Sequence, residues 1–165
     1  MSSMRIDIAE LSKKMAAACP GTFRSESING YHLLGACIVA ERLDLAERLV
    51  ASGFPIDLVN PGYVTTALSE ASHYQTVEHV RWLLEHGANP NGFYTEDCSP
   101  LHHAAARADL PIARALLDAG ANPQVRDIAW CVPADVTSSD DMKGLLLEYP
   151  GQPHEYGSPI GTYNE

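Results

Sequence analysis

A segment of this chain repeats itself at a spacing of 33 residues. Gly87-Ala88-Asn89-Pro90-Asn91 returns as Gly120-Ala121-Asn122-Pro123-Gln124, and a leucine pair precedes each, Leu83-Leu84 and then Leu116-Leu117. One register earlier, Leu49-Val50 leads into Gly53-Phe54-Pro55-Ile56-Asp57. A period of this size marks stacked copies of one supersecondary unit, each too small to bury its own apolar face. A solenoid of that kind offers an extended binding surface and brings no reaction chemistry of its own.

The repeating unit reads as two short helices. In the clearest copy Ser99 is an N-cap, Pro100 takes the first helical position, and Leu101-His102-His103-Ala104-Ala105 continues the helix. Ile112-Ala113-Arg114-Ala115-Leu116-Leu117 is the second helix, and Gly120 ends it. The preceding copy runs from Tyr63 to Asn91, with Thr66-Ala67-Leu68-Ser69-Glu70-Ala71 and then Val77 to Leu84. An aromatic content of 7% beside plentiful alanine and leucine suits closely packed helices better than strands, so the fold class is all-α.

Ser99-Pro100-Leu101-His102-x-Ala104-Ala105, followed by Ala115-Leu116-Leu117-x-x-Gly120-Ala121-Asn122-Pro123, resembles an ankyrin repeat. The resemblance covers about residues 29–148 as four repeats, of which the first and last are degenerate. The first has Leu33-Leu34-Gly35-Ala36-Cys37-Ile38-Val39 in place of the usual Thr-Pro-Leu-His start, while its second helix, Leu45 to Val50, is regular. The last keeps Val132-Pro133-Ala134-Asp135 and is expected to be shortened around Met142 to Leu147. Residues 1–28 are expected to form an N-terminal capping helix, carried by Ile8, Leu11, Met15 and Ala18 and ended by Cys19-Pro20-Gly21. Residues 149–165 are a Pro/Gly-rich irregular tail, with Tyr156, Ile160 and Tyr163 as anchors against the last repeat.

Catalysis needs converging acid, base or nucleophile groups, and the sequence holds no phosphate-binding glycine loop, no Gly-x-Ser-x-Gly and no His-Glu-x-x-His. The reading is therefore non-enzymatic, with no cofactor and no metal; His79 and His86 share a helix but have no third ligand nearby. His102 is expected to be structural, with Ser99 as its hydroxyl partner, because the resemblance implies that a histidine here bonds the turn and the neighbouring repeat. Gly35, Ser69 and Asp135 stand at its place in the other repeats. Trp82 reads as core.

The net charge of -10 argues against nucleic acid or an anionic membrane as a partner, and seven of those charges lie from Gly92 onward. No apolar run approaches the roughly 20 residues that cross a bilayer. The four cysteines form no Cys-x-x-Cys pair, and Cys98 and Cys131 fall on adjacent repeats, about a helix-packing distance apart and too far for a disulfide. Reduced thiols and a cytoplasmic location are expected.

The resemblance implies a partner-binding groove lined by finger tips and first helices. Carried onto this chain, the finger-tip positions are Tyr63 in one repeat, Phe93, Tyr94, Glu96 and Asp97 in the next, and Asp127 and Trp130 in the third. The helix positions are Glu70, His73 and Tyr74, then His103 and Arg107, with the small apolar Ala36, Val39 and Ala40 in the first repeat. Aromatics and arginine dominate binding energy at interfaces, and the acidic residues would ring them. The expected function is protein binding by a monomer, as general adaptor or inhibitor of a basic protein. The alternative is a bacterial immunity protein that neutralises a cognate basic toxin by direct contact, since small acidic proteins of this type resemble that class.

Overall fold

The computed structural model describes residues 9, 13–14, 27–28, 31–60, 65–74, 76–92 and 98–151. A two-stranded antiparallel hairpin, β1 (Ser27–Ile28) and β2 (Tyr31–His32), leads directly into the helices. They follow as α1 (Leu33–Val39), α2 (Leu43–Ala51), α3 (Ala67–Tyr74), α4 (Val77–Glu85), α5 (Pro100–Ala106), α6 (Leu110–Asp118) and α7 (Asp140–Glu148). The solenoid is thus mostly helical, as expected, with one small hairpin that the helical periodicity did not reveal. Of the N-terminal cap, only Ala9, Lys13 and Lys14 are described as helical. The tail anchors Tyr156, Ile160 and Tyr163 lie outside the described residues.

The helices pack in two layers. α1, α3 and α5 touch in succession; α4, α6 and α7 form the second layer; and α1 with α2, α3 with α4 and α5 with α6 are the pairs. The sequence period becomes a spatial stack. Leu34, Leu68 and Leu101 are each at most 1% exposed, and Leu49, Leu83 and Leu116 repeat the arrangement on the second helices of the three pairs at 3% or less. Cys37, Ala71 and Ala104 are fully buried where the first helices approach closely.

Each second helix ends the same way. Phe54, Ala88 and Ala121 donate their N–H groups to the carbonyls of Leu49, Leu83 and Leu116, across Gly53, Gly87 and Gly120 at φ between 88° and 96°. A Cβ at these glycines would meet nothing, so the left-handed backbone rather than space selects glycine. The helix pairs turn through Glu41 and Ala108, both near φ 55°, and Asp109 caps α6 by accepting from the Ile112 N–H at 3.2 Å.

Polar ties hold one repeat to the next. Asp57 accepts from the Asn89 N–H at 3.0 Å, and Asn91, its equivalent one repeat on, accepts from the Asn122 N–H at 2.7 Å. In the third repeat Ser99 caps α5, accepting from the His102 N–H and donating its hydroxyl to His102 Nδ1 at 2.8 Å. His102 Nε2–H donates to the Cys131 carbonyl at 2.9 Å, which fixes the neutral tautomer with Nδ1 as acceptor. Burial lowers the pKa of this ring, consistent with that neutral state.

The first repeat makes its tie in reverse. Gly35 leaves room at the histidine's place, and the buried Asn60 side chain reaches back into it, accepting from the His32 N–H at 2.8 Å. A Cβ on Gly35 would lie 2.8 Å from Asn60 Oδ1.

Two expectations need correction. The last repeat is shortened in its first helix, not its second: Val132 to Val136 form only turns, while α7 is a full nine residues. Asp135 Oδ2 accepts from the Val132 N–H at 2.9 Å and closes that turn, and the polar run Thr137-Ser138-Ser139 stops any helix before Ser139 caps α7. Trp82 packs against the core but is only half-buried, with its indole N–H donating to Glu47 on α2 and its ring stacked on His86 at 4.0 Å. Cys37 and Cys131 are free thiols, and burial pushes the Cys37 thiol up to about 12.

His102→Ala removes a cap and an inter-repeat bond together, and is expected to cost about 2–3 kcal/mol in urea unfolding. Gly35→Ala should also destabilise. Helix propensity favours alanine by about 1 kcal/mol, but forcing a methyl group against the buried Asn60 amide costs about 1–3 kcal/mol. A more stable Gly35→Ala protein would show that the reversed tie is dispensable.

Candidate protein-binding groove

The last turn of α3 carries His73 and Tyr74, and α5 carries His103 beside them. Three rings stack in a column. The Tyr74 and His73 centroids are 4.0 Å apart with planes at 12°, and the His73 and His103 centroids are 4.7 Å apart at 14°. Tyr74 is 62% exposed and ends the column. Stacking across α3 and α5 follows from the period, because His103 lies 33 residues after position 70, one turn before His73 on the same helix face.

Arg107, at the C-cap of α5, donates through Nη1 to the His73 carbonyl and pairs with Asp109 at 3.6 Å. A cation at the carbonyl end of α3 meets the negative end of its helix dipole. Burial, then His73 and His102, pushes the His103 imidazole down to about 4. His73 is also lowered, by burial first and by the Arg107 charge second. The column is therefore uncharged at neutral pH, a flat apolar step between two helices.

Not every expected groove residue lies on that surface. Glu70 is 5% exposed. Its Oε1 accepts from the Thr65 hydroxyl at 2.5 Å, and Asn60 donates to the same hydroxyl at 3.2 Å, so residues from the finger side fold over it. Oε2 has no hydrogen-bond partner, and burial raises the pKa of this carboxyl group. Helical periodicity placed Glu70 on the correct face but gave no sign of what covers it.

The third finger holds Asp127 and Trp130. Asp127 is not a free rim charge: its Oδ1 accepts from the N–H groups of Ala129 and Cys131, both at 2.9 Å, and so shapes the turn. Trp130 is 58% exposed at φ 64°, a left-handed conformation that costs a non-glycine residue about 1–2 kcal/mol. Arg126 steadies it by donating to its carbonyl at 2.6 Å. Two exposed apolar side chains were not singled out from the sequence, Ile128 on the same finger and Leu147 on α7. Leu147 borders an open cavity of about 540 Å³ that Gln124, Arg126 and Tyr149 also line. The remaining finger residues Tyr63, Phe93, Tyr94, Glu96 and Asp97 lie outside the described residues.

His79 and His86 do not converge. His79 Nδ1 lies 3.0 Å from the Thr76 hydroxyl, whereas His86 Nδ1–H donates to the Trp82 carbonyl at 2.7 Å. Among the described residues no three His, Cys, Asp or Glu side chains are placed to hold a metal ion, and no helix is long and apolar enough to cross a membrane.

Comparison with known proteins agrees with this architecture. A family model described as ankyrin repeats (3 copies) matches residues 33–127. A putative ankyrin repeat-containing protein of Treponema pallidum is 34% identical over 84 residues, covering 51% of this chain and 28% of that protein. The transient receptor potential channel pyrexia of Drosophila melanogaster is 37% identical over 92 residues, covering 54% of this chain and 9% of its own. The chain thus spans less than a third of either relative. Among solved structures, the ankyrin repeat domain of Bcl-3, a member of the IkappaB protein family, superposes with a TM-score of 0.70 at 27% identity, over 81% of this chain and 59% of that one. The human ASB11 ankyrin repeat domain gives 0.65 at 28% identity, over 74% of this chain and 55% of that one. Ankyrin repeats are protein–protein interaction modules, and this chain belongs to the ankyrin-repeat family.

Proposed function

We propose that this chain is a non-catalytic binding module that holds a basic protein against its concave face, as an adaptor or inhibitor. The observation that carries this reading is the ring column of Tyr74, His73 and His103 on two adjacent first helices, with Arg107 at its edge. A flat apolar step on rigid helices loses little entropy on binding, and Tyr and Arg are enriched among the residues that dominate interfaces. Trp130 and Ile128 on the third finger extend the contact surface. The net charge of -10 favours a basic partner and speeds its approach. The relatives named above lend no support to the narrower reading of toxin neutralisation.

The test is affinity purification from source cells with the wild-type chain and with a Tyr74→Ala/Trp130→Ala double variant, followed by titration calorimetry on the partner recovered. Wild type should retain a basic protein. The double variant should bind it at least about 30-fold more weakly, the equivalent of 2 kcal/mol, with an unchanged thermal midpoint. Equal loss of binding and stability would assign these residues to the core instead.

The column also sets a pH dependence. The folded pKa of His103, about 4, lies below the unfolded value of 6.5. The stability it supports is therefore complete above pH 6.5 and is lost as pH falls from 6.5 towards 4. The His103 ring signal in an NMR titration should still report a neutral imidazole at about pH 5.5, where an exposed histidine is charged.

A further inference from the structure

We propose that the C-terminal tail, residues 152–165, folds back onto the end of the solenoid, with Tyr156, Ile160 and Tyr163 filling the cavity beside α7. That cavity, of about 540 Å³, lies between the last helix and the base of the third finger. Leu146, Leu147, Tyr149 and Pro150 give it an apolar lining, and Arg126 adds a cation. The site is built before anything enters it, because Tyr149 donates its hydroxyl to Asp118 at the end of α6, at 2.5 Å, and so fixes its ring. Leu147 is 85% exposed on the last helix of the described stack. The end of a solenoid is where an apolar face has no further repeat to cover it.

Tether and charge both select the chain's own tail as the occupant. Pro150 and Gly151 line the cavity themselves, so residue 152 starts at its rim. Gly151 is pinned to the finger base: a Cβ there would lie 2.8 Å from Asn122 Oδ1 and run into the Gln124 side chain, an approach that only glycine allows. Tyr156 follows five residues later, about 17 Å of extended chain, which is enough to reach Leu147. A tether this short gives its ligand an effective concentration of about millimolar, so even a weak contact is populated. The tail brings Glu155 and Glu165 and no Lys or Arg, so it offers carboxylates to Arg126 and no like charge. The basic protein proposed for the groove would meet Arg126 with repulsion, and the cavity is therefore separate from that groove. Arg126 also donates to the Trp130 carbonyl at 2.6 Å, so a docked tail closes the end of the stack and braces the third finger together.

The test is limited proteolysis of the full chain with chymotrypsin, read by mass spectrometry beside the Leu147→Asp variant. Leu147 is exposed in the described stack, so Leu147→Asp should keep the helical signal and remove only the apolar contact for the tail. Cleavage after Tyr156 should be at least about tenfold slower in wild type than in Leu147→Asp, because the protease meets only the undocked fraction. Methyl-labelled NMR gives a second readout. Ring protons of Tyr156 or Tyr163 should show contacts to the Leu147 methyl groups that persist on dilution, and Tyr156→Ala/Ile160→Ala/Tyr163→Ala should abolish them. Equal cleavage rates in the two proteins, or no contact between the tail and Leu147, would overturn the docking. Contacts that fade on dilution would overturn it too, by assigning the cavity to a second copy of the chain.

Discussion

No helix pair in this chain can bury its apolar face without a neighbour, and everything else follows from that. The seven helices among the described residues are seven to nine residues long. An isolated helix in water needs about 12–15 residues before it is even marginally populated. What holds these is the repeated burial of Leu34, Leu68 and Leu101 on the first helices of the three pairs and Leu49, Leu83 and Leu116 on the second. Each fully buried leucine is worth about 1.5–3 kcal/mol, and each is buried by residues of the adjacent repeat as well as its own. Stability is therefore close to a sum of repeat and interface contributions, and the ends are where the pattern must change.

Apolar packing sets the stack but not its register, which polar ties at the finger bases fix. Asp57 and Asn91 do so at equivalent points, each accepting a backbone N–H from the repeat that follows. The tie at the helix start has two chemical solutions. His102 reaches forward to the Cys131 carbonyl, and Asn60 reaches back to the His32 N–H, into the space that Gly35 leaves. Both bury a polar side chain with its bonds made, which is the condition for its being there at all. The absence of histidine from position 35 is thus a substitution of partner and direction, not a gap in the stack.

The stack was legible in the sequence because period and glycine spacing are backbone properties, and they carried helix pairs and helix ends; the role of His102 came from the family resemblance. The site was legible only in part. His73 and His103 come together because positions one turn apart on the same face of neighbouring first helices lie within reach of each other's rings, and Tyr74 stacks on His73 from the next position of its own helix. Glu70 shared that pattern and is buried, since periodicity reports a helix face and not what folds over it. Asp127 looked like a rim charge and instead serves the backbone of its own turn, a habit of aspartate in turns that the sequence does signal. The hairpin before α1 also had a signal, the Asn29-Gly30 pair between its strands, which a search for helical spacing passes over. In the last repeat, Val132-Pro133-Ala134-Asp135 matched a helix start, but the serine-rich run that follows could not propagate one.

The proposed binding face separates two tasks that a binding surface must perform. A net charge of -10 acts over a Debye length of about 8 Å in physiological salt, so it would set how fast and which way the basic partner proposed above arrives. The ring column acts only in contact. Burial holds both imidazoles neutral, aided at His73 by the Arg107 charge and at His103 by His73 and His102, so the two rings add no charge to the proposed surface. Because the rings stand on α3 and α5, and Arg107 ties the end of one helix to the cap of the other, their geometry is fixed before any partner binds. Ordering entropy that a flexible loop would lose on binding is thus already spent in folding, and the same nearest-neighbour packing that stabilises the repeats prepares the site.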